Sequence, residues 1–245
     1  NYGVKDIISG NKLTAEKLSL VKEKAELRAK TRQPIQHIIG FADFMGEKFI
    51  VNSSVLIPRD ETEILVRKAV DIINKNHFKM ALDVGTGSGC IACMIAKHTE
   101  CQIIGLDIST DALNTALDNA SRLNLFNKAI FRKSDIFSNV KPGESFDIII
   151  SNPPYIPPCE KERIQTEVKF DPQEALFTKD EKGLEFYEKI TRDAHNVLNK
   201  GGYLLFELGI GQSQDVKSLM ETNGFKDIEI IKDLAGIDRA IVGNL

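Results

Sequence analysis

The residues with the clearest chemistry are Asn152-Pro153-Pro154-Tyr155, directly after the apolar run Phe146-Asp147-Ile148-Ile149-Ile150-Ser151. Two prolines fix φ and remove two backbone donors, which leaves carbonyl acceptors. The Asn152 side-chain oxygen and the Pro153 carbonyl can together accept both hydrogens of one planar NH2 group. An amide or aryl amine is a poor nucleophile because its lone pair is delocalised. Holding both hydrogens orients the nitrogen and favours its pyramidalisation toward an electrophile, so positioning and electrostatics can supply most of the rate without a strong base. The Tyr155 ring would wall the acceptor plane. The competing reading is a plain Pro-rich turn after a strand. The motif fits the amine of adenine, of cytosine or of a glutamine side chain, and does not choose among them.

A second constellation is Asp83-Val84-Gly85-Thr86-Gly87-Ser88-Gly89, between an apolar run and a helical one. Glycines let the backbone turn sharply with no Cβ in the way, and the N–H groups opening the next helix favour an anionic group. Such a turn also serves dinucleotide enzymes, but the G-x-G-x-G spacing departs from their G-x-G-x-x-G form. It resembles motif I of the S-adenosylmethionine-dependent methyltransferases. Asp107 ends the next apolar run, where an acid can accept both ribose hydroxyls of a nucleoside; the competing reading is an N-cap at Asp107–Thr110. Asp135 ends a third run, where it could accept from an adenine amine or sit as an acid opening a short helix. Ile136 beside it could cover the adenine face as an apolar shelf.

These residues need a frame. Strands are expected at Met80–Val84, Gln102–Leu106, Ala129–Arg132, Phe146–Ser151, Gly202–Glu207, Asp227–Ile231 and Arg239–Val242. Helices are expected between them at Cys90–Lys97, Thr110–Leu123, Leu184–Leu198 and Gln212–Asn223. Such alternation implies an α/β, doubly wound, mostly parallel sheet. Only a short loop fits between the last two strands, so that pair should be antiparallel. Upstream, Thr14 is a candidate N-cap for a helix carrying Leu18, Val21 and Ala25 and ending near Arg32, before Pro34. Residues 35–58 read as short strands and turns at Gln36–Ile39, Glu47–Val51 and Val55–Ile57, and Thr62–Asn74 as a helix.

Hydrophobic residues make up 42% of the 245 positions and charged ones 27%, ordinary for a soluble globular chain. No apolar run approaches the roughly 18 residues of a membrane helix, and no signal-peptide pattern opens the chain, so no membrane partner is expected. The first residue is Asn1 rather than Met, so the chain reads as a trimmed or partial product. Cys90 and Cys93 sit inside an apolar helical run with no second Cys/His pair at zinc spacing. They read as buried thiols, and a reducing compartment, the cytoplasm or an organelle interior, is expected. Net charge is −3, which argues against bulk nucleic-acid binding. Residues 1–78 carry 13 Lys/Arg against 10 Asp/Glu, and the remainder 19 against 25. Most of the positive excess lies between Lys12 and Arg32, as a solvated helix face or a docking surface for an RNA-associated or acidic partner.

Four flanking blocks carry a family resemblance. Arg32-Gln33-Pro34-Ile35-Gln36-His37-Ile38-Ile39-Gly40 resembles the R-x-P-x-Q-Y-I-x-G signature of the HemK/PrmC glutamine N5-methyltransferases. Val55-Leu56-Ile57-Pro58-Arg59-Asp60-Glu61-Thr62-Glu63 resembles their V-L-I-P-R-x-x-T-E. Asp171 to Phe177 with Gly183-Leu184, and Asp233-Leu234-Ala235-Gly236-Ile237-Asp238-Arg239, resemble two later blocks. His37 replaces the usual Tyr, and Asp60 a frequent Pro. The resemblance implies a seven-stranded Rossmann-like sheet over 61–245, a short β-hairpin linker over 35–60, and a small, truncated helical partner-binding domain over 1–34. It implies S-adenosyl-L-methionine as methyl donor, S-adenosyl-L-homocysteine as product, and class I peptide chain release factors as partner. The acceptor would be the glutamine of their Gly-Gly-Gln loop, with no direct nucleic acid required. Gly85, Thr86, Gly87, Ser88, Gly89, Asp107, Asp135, Ile136 and Asn152 would meet the donor, and Asn152 to Tyr155 would clamp the amide. The alternative is an adenine or cytosine exocyclic-amine methyltransferase acting on nucleic acid.

Overall fold

A computed structural model describes residues 14–245; Lys12 and the rest of 1–13 lie outside the described residues. Seven strands form one sheet: β3 (Met80–Val84), β4 (Gln102–Asp107), β5 (Ala129–Lys133), β6 (Phe146–Ser151), β7 (Leu198–Glu207), β8 (Lys226–Lys232) and β9 (Asp238–Asn244). Their spatial order is β5-β4-β3-β6-β7-β9-β8. β3 to β7 pair in parallel, whereas β9 runs antiparallel to both β7 and β8. This is the doubly wound, seven-stranded arrangement expected from the alternation. The order reverses between β4 and β6, on the two sides of β3, and ligands bind at such a switch point beyond the strand ends. The Gly-rich turn, Asp107 and Asn152 follow or end these three strands.

Buried residues sort by strand parity. On one face Ala81, Ile103, Ile148 and Ile150 pack with α3 (Thr62–Asn76) and α4 (Cys90–His98). On the other, Leu82, Ile104 and Ile149 pack with α6 (Glu185–Asp193) and α7 (Ser213–Thr222). α3 buries Leu65, Val66, Ala69, Ile72 and Ile73 along one stripe, the Leu, Val and Ile side chains each contributing roughly 1.5–3 kcal/mol when fully buried. Every residue from Cys90 to Ala96 in α4 is buried. Burial pushes the Cys90 and Cys101 thiols up to about 12 and raises Cys93 as well, so these cysteines pack rather than react. Cys159 is exposed. α5 (Thr110–Arg122) starts on the Ser109 cap, which accepts the Ala112 amide.

The linker departs from expectation. Gln36–Ile39 is helical, within α2 (Ile35–Ile39), which opens after Pro34 and closes on Gly40 at φ 80. A short apolar run does not distinguish strand from helix by itself, and here Pro and Gly punctuation decides. The hairpin lies one step later, as β1 (Phe41–Phe44) and β2 (Glu47–Ile50). Val55–Ile57 is no strand: Val55 and Ile57 are buried against Ala42, Val51 and Ala112 without pairing in a ladder. The sheet elements match closely, but β7 begins at Leu198 rather than Gly202, and α6 stops at Asp193 before a tighter turn at Ala194–Asn196.

α1 (Ala15–Thr31) is capped by Thr14, whose side chain accepts the Lys17 amide. None of its side chains is buried, and Leu18, Leu20, Val21 and Leu27 are exposed. Arg28 and Arg32 both reach the Glu167 carboxylate at 3.0 Å, which ties the helix end to the long segment between β6 and α6. Among the described residues no helix is long and apolar enough to cross a membrane.

Candidate active site

The turn after β3 is built by hydrogen bonds to the neighbouring strand end. Gly85 and Thr86 amides both donate to the Leu106 carbonyl, at 2.8 and 2.9 Å. The Gly87 amide donates to Asp107 Oδ2 at 2.9 Å, and Ser109 N–H donates to Oδ1 at 2.9 Å. Asp107 is therefore held carboxylate-first beside the Gly-rich turn, and burial raises its pKa. The N-cap of α5 is Ser109, two residues after Asp107 and within the Asp107–Thr110 span of the competing reading. Below the turn, Thr86 Oγ1 donates to the fully buried Asp83 at 2.6 Å, and burial pushes Asp83 up to about 7. Gly89 closes the turn at φ 76, and an added Cβ would lie 2.9 Å from Ala116 Cβ. We expect Gly89→Val to destabilise the fold by about 2–5 kcal/mol, combining left-handed strain with overpacking, read as a shift in the urea unfolding midpoint.

One cavity of about 850 Å³ unites the expected groups. Gly85, Thr86, Gly87, Ser88, Asp107, Asp135, Ile136, Asn152, Pro153 and Pro154 all line it. Gly89 does not line it, and its place is structural. Ile136 holds φ 49, a strained left-handed conformation for a β-branched residue of the kind concentrated at ligand sites. Tyr155 stands elsewhere: it lines a neighbouring cavity of about 230 Å³ with Arg59, Glu61, Glu207 and Arg239. Its carbonyl accepts from Gln212 Nε2 at 3.0 Å. Gly183, at φ 73, permits this packing, since a Cβ there would stand 2.1 Å from the Tyr155 oxygen. Tyr155 follows Pro153 and Pro154 directly, yet it lines the second cavity and they line the first.

Several residues here had no role assigned from sequence. Thr62 opens α3, is buried, and its hydroxyl donates to Glu207 Oε2 at 2.5 Å. Asn152 Nδ2 lies 3.4 Å from the same Thr62 oxygen. Ser151 Oγ donates to the Val84 carbonyl at 2.7 Å, bracing β6 against β3. Asn119, buried in α5, accepts from the Ile50 amide and donates to the Ser88 carbonyl, which joins the hairpin to the Gly-rich turn. Arg59 lines both cavities and is held at 2.6 Å by the buried Asp171, whose second oxygen lies 3.6 Å from His37. Burial pushes Asp171 up to about 6, and burial with the Arg59 charge lowers His37. The one available signal for Glu207 was its place: an acid ending an apolar run, as Asp107 ends its own.

The residues present fit S-adenosyl-L-methionine. The Gly-rich turn is open, Asp107 offers a half-buried carboxylate beside it, and Ile136 and Leu106 supply apolar walls within a volume suited to a nucleoside. Among the described residues no cluster of His, Cys, Asp and Glu could hold a metal.

The chain matches the family model described as "Methyltransferase domain" over residues 75–234. A methyltransferase from Pyrococcus furiosus has the same fold, with a TM-score of 0.59 at 18% identity, covering 95% of this chain and 98% of that one. The fold and the Gly-rich site thus define an S-adenosylmethionine-dependent methyltransferase. Within that class, the release factor glutamine methyltransferase of Geobacter sulfurreducens is 38% identical, covering 95% of this chain and 80% of its own length. That of Fusobacterium nucleatum is also 38% identical, covering 91% of this chain; the chain spans 63% of that relative's length. The chain belongs to the release factor glutamine methyltransferase family.

Proposed function

We propose that this chain methylates the side-chain amide nitrogen (N5) of a glutamine presented by the Gly-Gly-Gln loop of class I peptide chain release factors. The observation that carries the reading is the convergence of Asn152, Pro153 and Pro154 on the cavity shared by the Gly-rich turn and Asp107. Family membership supports the choice of a glutamine amide over a base amine.

Gly85 to Ser88 hold the donor's amino-acid end, Asp107 accepts its ribose hydroxyls, and Asp135 with Ile136 meets the adenine. When bound, S-adenosyl-L-methionine supplies a sulfonium-activated methyl group and leaves as S-adenosyl-L-homocysteine. Asn152 Oδ1 and the Pro153 carbonyl accept the two amide hydrogens, which holds the poor nucleophile in line for transfer, and one of those hydrogens leaves to water as a proton once the nitrogen carries the methyl group. Tyr155 and Arg59 flank the smaller cavity, where the loop on either side of the glutamine lies.

The test is transfer of labelled methyl from S-adenosyl-L-methionine to a purified class I release factor, mapped by mass to one residue. We expect the label on the loop glutamine and none on the Gln→Ala loop variant. Equal labelling of that variant, or labelling of DNA or RNA instead, would overturn the reading.

A further inference from the structure

Glu207 is a buried acid with no part in the chemistry above. It ends β7, the strand beside β6, at 4% exposure, and accepts from the Thr62 hydroxyl, which in turn faces Asn152. We propose that Glu207 and Thr62 are positioning residues that fix which end of the Asn152 amide faces the acceptor. This rests on the reading of Asn152 as the amide clamp.

The argument is one of donors and acceptors. An ionised carboxylate only accepts, so the Thr62 hydroxyl hydrogen, 2.5 Å from Glu207 Oε2, is committed to it. Thr62 Oγ1 then has only lone pairs to offer Asn152. The Asn152 atom facing it must be the donor, and Nδ2 stands there at 3.4 Å. That leaves Oδ1 on the opposite side of the amide as the acceptor for an incoming N–H. Glu207 also accepts directly from the Asn152 side chain, so both partners hold the same end; without them either end of the amide could face the substrate, and the Nδ2 end would repel it. The contact is long, as such bonds often are before substrate draws them together. Both partners sit on rigid elements: Thr62 in the first turn of α3, Glu207 at the end of a central strand.

Protonation reverses the polarity. A neutral Glu207 can donate to Thr62, whose hydrogen then turns to Asn152 and draws Oδ1 away from the acceptor. Burial pushes Glu207 up to about 7, the Thr62 hydrogen bond opposing. The charged and titratable groups around it are Glu61 ahead of α3, Arg59 across the smaller cavity, Arg239 on β9, Tyr155 after β6 and the Cys90 thiol of α4, while the Tyr187 hydroxyl of α6 donates to the Glu207 carbonyl. The competent form is the ionised one, so the rate should fall as pH drops through about 7.

The experiment compares Thr62→Val and Thr62→Ser with the unaltered chain, using S-adenosyl-L-methionine and a class I release factor. Melting temperature and donor affinity are measured alongside. Thr62→Val should lose about 10- to 100-fold in kcat with donor affinity and release-factor KM nearly unchanged, and Thr62→Ser should restore most of it. The unaltered chain should show a kcat inflection near the Glu207 value that Glu207→Gln lacks. A folded Thr62→Val with kcat within about twofold of the unaltered chain, a Thr62→Ser as impaired as Thr62→Val, or an inflection that survives Glu207→Gln would overturn the proposal. If the unaltered chain and Asn152→Ala behave as expected while Thr62→Val stays fully active, only the relay fails. If the unaltered chain labels no glutamine, the acceptor reading fails first.

Discussion

Asn152→Ala should lower kcat by about 10²- to 10³-fold, the range for losing one preorganised partner of a transition state, while S-adenosyl-L-methionine binding weakens far less. The reasoning starts from the acceptor. A glutamine amide nitrogen has its lone pair delocalised into the carbonyl, so it attacks only when held and bent. Asn152 stands at the C-terminal end of β6 and lines the donor cavity together with Thr62, whose hydroxyl is bonded to the buried Glu207. Removing its side chain takes away one of the two acceptors proposed for the NH2 group and leaves the Gly-rich turn and Asp107 untouched. The loss should therefore appear in kcat rather than in donor affinity, as expected for an interaction made mainly in the transition state. Single-turnover rates with calorimetric donor binding check it. A kcat within a few-fold of the unaltered chain would mean that the clamp is not the source of rate.

Much of this fold could be read from the sequence because its strands are buried on both faces. Continuous apolar runs such as Ile148-Ile149-Ile150 belong to central parallel strands, and each is followed by a clear turn or helix opening. The short span from Asp233 to Asp238 implied the antiparallel end of the sheet by length alone. The linker was less legible because its signals are short. Gln36–Ile39 has an apolar content that suits a strand, and only Pro34 and Gly40 decide for a helical turn. Val55 and Ile57 are buried as strand residues would be, yet they pack on α5 rather than on a ladder.

The site divides the same way. Residues adjacent in sequence to the Gly-rich turn and to Asn152 were legible, since position after a strand is a local property. Thr62, Asn119, Asp171 and Glu207 were not, because each acts across a gap of many positions. Thr62 and Glu207 are 145 residues apart and Arg59 and Asp171 are 112 apart, and neither pair has a local signature. Tyr155 marks the limit of local reading. Its neighbours in the motif line the donor cavity, whereas Tyr155 lines the smaller one, and Arg59 lines both.

Asp107→Ala should weaken S-adenosyl-L-methionine binding more than any other single change on the cavity wall, with a smaller effect on kcat at saturating donor. Asp107 accepts two backbone amides, from Gly87 and Ser109, one on each oxygen. These bonds use one lone pair per oxygen and leave the others for ligand hydroxyls. Each hydrogen bond to a charged acceptor contributes about 1.5–3 kcal/mol, so losing even one ribose contact raises Kd by about 10- to 150-fold, and the variant also frees the Gly87 amide that shapes the turn. Burial raises the Asp107 pKa above its ordinary value, which means this carboxylate bears part of the cost of desolvation. Ribose hydroxyls relieve that cost by donating to the charge, so donor binding should pull the Asp107 pKa back down and release protons at acid pH. For an acid whose folded pKa is raised, the folding penalty is present above that pKa and fades as pH falls through it. The unliganded chain should accordingly lose less stability on acidification than the donor-bound chain does. Calorimetric titrations with S-adenosyl-L-homocysteine in two buffers of different ionisation enthalpy would read both quantities. A Kd for Asp107→Ala within about threefold of the unaltered chain would remove Asp107 from the donor site and leave its two backbone bonds as its whole role.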